Sequence, residues 1–141
     1  MPQRGWTLVE VALVLALSAI LGMMLVPSFA RWADRLAVWS AANDVEAFYH
    51  AARLGAITQG GTVRLELTPD RLRAVLESEA DSVLLAWPGP SERGVSLVTS
   101  RPLIRLSSNG LGLGAANTKW LLLRGTAGES LTVSRLGRLK R

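Results

Sequence analysis

Residues 5 to 15 read Gly5-Trp6-Thr7-Leu8-Val9-Glu10-Val11-Ala12-Leu13-Val14-Leu15, and no charged residue follows until Arg31. Glu10 is the anomaly in this stretch. A carboxylate at the head of an apolar run enters the membrane whenever the run does. An acidic residue at the centre of a spanning helix costs roughly 2.5 to 3.5 kcal/mol, less near the end. A cost of that size points to a function for the carboxylate. Trp6 to Val26 is long enough to cross a bilayer: at 1.5 Å per residue it measures about 31 Å against a hydrocarbon core of about 30 Å.

Three readings of this segment follow from the residues. As a plain transmembrane anchor it has the right length but leaves Glu10 unexplained. As a secretory signal, Arg4 supplies the positive region, Val11 to Val26 the apolar region, and Ser28-Phe29-Ala30 a small-x-small cleavage site. Glu10 is out of place there too. The third reading is a signal cut before the apolar run, which then stays in the mature protein. Met1-Pro2-Gln3-Arg4-Gly5 followed by Trp6-Thr7-Leu8-Val9-Glu10 resembles the signal of the type IV pilin and type II secretion pseudopilin superfamily, with Trp6 where phenylalanine is usual.

That resemblance implies that prepilin peptidase cleaves between Gly5 and Trp6 and methylates the new amine of Trp6. It also implies that Glu10 pairs with the N-terminal ammonium of a neighbouring subunit during filament assembly, so that two buried charges compensate each other. Pro27 falls where helices of this superfamily carry a proline, and is expected to kink or locally melt the helix. The implied partners are prepilin peptidase, other pilins or pseudopilins in a filament, and the bacterial inner membrane. The head then lies in the periplasm or outside the cell.

Beyond Pro27, Phe29, Trp32, Leu36, Trp39, Ala42, Val45, Tyr49 and Ala52 recur every three or four residues with charged and polar residues between them. That is the pattern of an amphipathic helix. It predicts that Trp32 and Trp39 pack in the core. Gly55 and Gln59-Gly60-Gly61 are expected to end the helix. Short strands separated by turns follow: Val63 to Leu67, Leu72 to Leu76, Val83 to Trp87, Val95 to Thr99, Leu103 to Leu106, Trp120 to Arg124 and Leu131 to Ser134. The glycine-rich residues Asn109 to Gly114 read as a loop without the spacing of a phosphate cradle. The expected fold class is α+β, a long N-terminal helix with a membrane-spanning first half, packed on a small antiparallel β-sheet head. The expected organisation is a leader over 1–5, an assembly helix over 6–27, its amphipathic continuation over 28–58, and a β-rich head with a basic tail over 59–141.

Composition narrows the function classes. Of 141 residues 49% are hydrophobic, yet the excess sits at the front of the chain. There is no cysteine, so disulfides and thiolate metal sites are excluded while the compartment stays open. His50 is the only histidine and reads as structural, which argues against a metal site or a Ser-His-Asp arrangement. Glu77, Glu79 and Asp81 lack the glycine and terminal glutamate of a calcium loop. No catalytic residue, cofactor or metal is expected, and the chain reads as a non-enzyme.

Charge gives a second lead. The net charge is +5, but residues 93 to 141 hold nine basic residues against the single acid Glu129. Arg135, Arg138, Lys140 and Arg141 crowd the end of the chain, and a cluster of that kind contacts phosphates or an acidic face. The length, the Ala52-Arg53-Leu54-Gly55-Ala56-Ile57 junction and the Val-Ser-x-x-Gly-Arg ending resemble the GspH/FimT subgroup of minor pilins and pseudopilins. In some FimT-like members a terminal Gly-Arg-x-Arg motif is implicated in DNA uptake. Gly137-Arg138-Leu139-Lys140 matches it, with lysine keeping the charge but losing the planar fork. Two readings stay open: a structural subunit of a pilus or pseudopilus, and a module on the same scaffold that binds double-stranded DNA. In the second, Arg101, Arg105, Lys119 and Arg124 are expected to assist the tail.

Overall fold

The computed structural model describes residues 7–78, 81–114 and 117–141, and of residues 24–27 the backbone alone. Gly5, Trp6 and the cleavage site between them lie outside the described residues, as does Glu79. The chain divides into two compact units, Met1–Ala33 and Asp34–Arg141.

One helix, α1 (Leu8–Gln59), begins in the first unit and ends in the second. Its first part contains an 18-residue window of mean hydropathy 2.5, none of it buried within the protein. It is the one described helix long and apolar enough to cross a membrane. Phe29 and Trp32, both exposed, meet at a tilt of 39° with ring centroids 5.7 Å apart within this unit. Helical backbone continues through Pro27, although proline has no N–H to give the ladder there.

In the second unit, α1 packs on antiparallel sheet. Strands β1 (Val63–Leu67), β2 (Arg71–Leu76) and β3 (Ser82–Pro88) form a meander. A 3-10 turn at Pro90–Arg93 leads into β4 (Ser96–Thr99), followed by β5 (Leu103–Leu106), β6 (Gly112–Leu113), β7 (Thr118–Arg124), β8 (Ala127–Val133) and β9 (Leu139–Lys140). They make the expected antiparallel head from two sheets: five strands in the order β3-β2-β1-β5-β6, and four in the order β4-β7-β8-β9. The split arises because β5 pairs with β1 and β4 with β7. Chain neighbours therefore part, and local sequence patterning carries no signal for that.

The core lies between the helix and the inner faces of the sheets. Val38, Ala41, Ala42, Val45, Phe48, Tyr49, Ala52 and Ala56 supply the helix side, and Leu65, Leu72, Leu106, Trp120, Leu122 and Leu131 are among those opposite. The four alanines let the helix approach the sheets closely. Tyr49 meets Trp120 edge to face at 5.9 Å, and both are fully buried. Each large side chain buried in this way is worth about 1.5 to 3 kcal/mol before its entropy is subtracted.

The two tryptophans expected in the core are not there. Trp32 is 57% exposed and Trp39 54%. Threes predominate in the apolar run from Leu36 to Ala52, so it recurs faster than the helical period of 3.6 and drifts round the axis. Leu36 comes to lie opposite Val45, and Trp39 at the flank of the buried face, beside the β7 to β8 turn. The helix itself ends at Gln59, with Gly60 in the left-handed region, as its glycine signals predict. The β7 to β8 hairpin is tighter than the sequence suggests: Arg124 pairs with Ala127, leaving only Gly125 and Thr126 in the turn. Ala127 to Ser130 are polar or small and give no strand pattern of their own.

Candidate functional site

Thr7 and Glu10 build the head of α1. The Glu10 carboxylate accepts the Thr7 N–H at 3.0 Å and the Thr7 hydroxyl at 3.1 Å, while the Glu10 N–H donates to Thr7 Oγ1 at 3.2 Å. This is a reciprocal capping box, Thr-x-x-Glu. It supplies the carboxylate with donors from its own helix. Both bonds to the carboxylate end on Oε2, leaving Oε1 for another donor. The Thr-x-x-Glu spacing is legible in the sequence, where Glu10 stands out first because it alone is charged.

At the other end of the chain, strand register decides which cations act together. Lys119 stands opposite Thr132, and Thr132 opposite Lys140. All three are exposed, so β7, β8 and β9 carry two lysines across one outward row. Arg138 is exposed in the turn between β8 and β9. That turn is closed by the Gly137 N–H to Ser134 carbonyl bond at 2.9 Å and the Ser134 N–H to Arg138 carbonyl bond at 2.8 Å. Gly137 has φ +70, and a Cβ there would run into the Gly110 carbonyl. Glycine is required on both counts. Arg53 Nε donates to that same carbonyl at 3.0 Å, tying helix, glycine-rich loop and tail turn together.

The other sequence-named cations are engaged. Arg141 forks onto both oxygens of Glu129, reaching Oε2 at 2.9 Å, and donates to Asn43 Oδ1 at 2.8 Å. Its guanidinium also stands 6.0 Å from the Trp39 ring centroid. The Glu129 carboxylate holds the Arg141 guanidinium above its usual range. Arg141 thus fastens the tail to α1, and its charge is already matched. Arg135 donates to the Gly114 carbonyl at 3.2 Å. Arg105 pairs with Glu77 at 2.8 Å, and Arg124 pairs with Asp34 at 3.0 Å. Arg101 is likewise engaged.

Two further expectations bear on chemistry. His50 is exposed and lies 3.8 Å from Glu46 on the next helical turn. Glu77 and Asp81 are bound by Arg64 at 3.6 and 2.8 Å; they belong to an ion network on the outer face of the five-stranded sheet. Among the described residues no group of three or more acids and histidines could hold a metal. Open grooves lie beside Trp39 at the β7 to β8 turn, and along the free edge of β4, where Pro69, Ser91 and Gly94 to Leu97 line it.

No family model and no curated protein matches this sequence. Among solved structures the chain is similar to the type IV minor pilin FimU of Pseudomonas aeruginosa in two crystal forms. The TM-scores are 0.65 and 0.61, both at 16% identity. The alignments cover 75% and 72% of this chain and 88% and 90% of those. The fold is therefore type IV pilin-like: one long N-terminal helix packed on antiparallel sheets.

Proposed function

We propose that this chain is a minor pilin or pseudopilin, a non-enzymatic structural subunit of a type IV pilus or type II secretion pseudopilus. Prepilin peptidase cuts it between Gly5 and Trp6 and methylates Trp6. The subunit then waits in the bacterial inner membrane with its head in the periplasm until assembly. The observation that carries this reading is the conjunction of a pilin-like fold with an uncharged span headed by Glu10. Glu10 holds one oxygen on Thr7 and offers the other to a neighbour's ammonium. Pro27, within the helix, loosens the ladder where the chain leaves the span. The test is Glu10→Ala in cells that make filaments. The variant should be processed, inserted and folded in the head, yet fall about tenfold or more in sheared filament fractions. Incorporation at the wild-type level would show the carboxylate to be dispensable and remove this mechanism.

A second reading, DNA capture by the same head, is favoured by the exposed Lys119 and Lys140 row beside Arg138. Such a surface contacts phosphates without reading bases. Binding of the full chain in detergent to duplex DNA should weaken steeply with salt. Lys119→Ala, Arg138→Ala and Lys140→Ala should each lower the logarithmic salt slope by about one. Arg141→Ala should leave the slope unchanged, because its charge is already met by Glu129. Absence of binding at low salt would leave the assembly role alone.

A further inference from the structure

Two sheets present four edges: β3 and β6 in one, β4 and β9 in the other. Open edges invite a further strand, and proteins commonly blunt them with bulges, prolines, charges or short length. Three of these four are blunted. The β2 to β3 pairing breaks register at Ala74/Val75, and β3 ends on Pro88. Strands β6 and β9 are two residues each. β4, twice the length of β6 and β9, has no bulge, proline or charge. Ser96-Leu97-Val98-Thr99 is uncharged, free of proline, and in unbroken register with Leu123 to Trp120.

The hydrogen-bond parity of β4 shows which groups face outward. The Ser100 N–H bonds the Lys119 carbonyl at 3.2 Å. In an antiparallel ladder the residues directed at the partner alternate, so Val98 and Ser96 also bond across to β7. Leu97 and Thr99 therefore aim their N–H and C=O groups at the free edge. Val95, with the same parity, donates its N–H to the Pro90 carbonyl at 3.2 Å, so the 3-10 turn covers the start of this edge and stops there. The groove lined by Pro69, Ser91 and Gly94 to Leu97 opens beside the start of this edge and reaches Leu97.

We infer that the β4 edge is a strand-addition site for an extended, uncharged polypeptide segment of a neighbouring filament subunit, an occupant that rests on the filament reading above. The chemistry selects this class. The edge offers main-chain donors and acceptors in strand spacing, which only another peptide backbone matches in series. None of the residues lining the groove is charged, which suits an uncharged segment better than a polyanion. Outward side chains on the same sheet face, Val98 and Leu123, are 54% and 37% exposed and extend the apolar surface beside the added strand. After Thr99 its hydroxyl donates to the Arg101 carbonyl at 2.7 Å and accepts the Arg101 N–H at 3.1 Å. That local turn limits the added strand to the length of β4.

The test compares amide hydrogen exchange of the full processed chain in membrane micelles and in sheared filaments. Exchange at Leu97 and Thr99 should slow about tenfold or more on assembly, with Val98 already slow in both. Thr99→Pro removes an outward donor without touching a β7 bond and should lower filament incorporation about tenfold. Thr99→Val, which keeps the N–H and loses only the hydroxyl contacts, should assemble like wild type. Normal assembly of Thr99→Pro, or unchanged exchange at Leu97 and Thr99 in filaments, overturns this site and leaves the filament reading intact. Failure of the wild-type chain to enter filaments at all overturns that reading and this occupant with it.

Discussion

Single residues at the C-terminal end show how context redirects the same chemistry. Arg138 and Arg141 are near neighbours in sequence and equally basic, yet Arg138 is exposed in a turn whereas Arg141 is forked onto Glu129 and leans on Trp39. Sequence spacing groups them; only the register of β8 against β9 and the approach of the tail to α1 separate them. Tyr49 makes a further point at this scale. It is fully buried against Trp120, and its hydroxyl has no hydrogen-bond partner. Burial holds its phenol above the ordinary 10.0, partly offset by the nearby Arg53 charge. A raised value means that the folded state prefers the neutral phenol. That contribution is whole below pH 10 and is lost as pH rises through the folded value. Tyr49→Phe should therefore leave stability at neutral pH within about 1 kcal/mol of wild type, on the stabilising side. It should also lessen the loss of stability between about pH 9 and about pH 12. Urea midpoints across that range, variant against wild type, check this; identical alkaline losses would contradict it.

At the scale of elements, the helix and its glycine stop were legible in the sequence, and most strands fell within a residue or two of their predicted ends. Their signals are local: apolar residues every three or four positions, alternation every second, glycine at Gly60. What local signals cannot give is the angle at which a stripe wraps the helix, and this misplaced Trp39, whereas Trp32 belongs to the first unit, which has no part in the core of the head. The drift makes a sharp prediction. Val45, fully buried, should lose about 2 kcal/mol or more on change to alanine, whereas Leu36→Ala, on the far side and 47% exposed, should stay within about 0.5 kcal/mol. Comparable losses at both positions, read from denaturation of the head, would mean that the helix packs on a different face. The short strands β6 and β9 were hidden for a different reason. Two residues are too few for any alternation, and both are set by partners already in place, Leu106 for Gly112 and Val133 for Leu139.

For the whole molecule, the division into two units follows from composition. The first concentrates apolar residues with no interior to fill, and the second has a core of its own. That asymmetry, Glu10 and the glycine before Trp6 were readable from the first lines of the sequence. The two-sheet arrangement was not, because it depends on contacts between β1 and β5 and between β4 and β7, distant in the chain. The charge asymmetry was readable as a total, but its use was not. Paired arginines in the head face acids contributed by other elements, so a run of basic residues overstates the free charge. On the proposed function, maturation by prepilin peptidase precedes every later step. The most direct measurement is the intact mass and N-terminal peptide of the protein from cells with and without prepilin peptidase. A pilin subunit should begin at N-methylated Trp6 when the peptidase is present and at Met1 when it is absent. A chain that keeps its first five residues in both, or begins at Arg31, would contradict the proposed function.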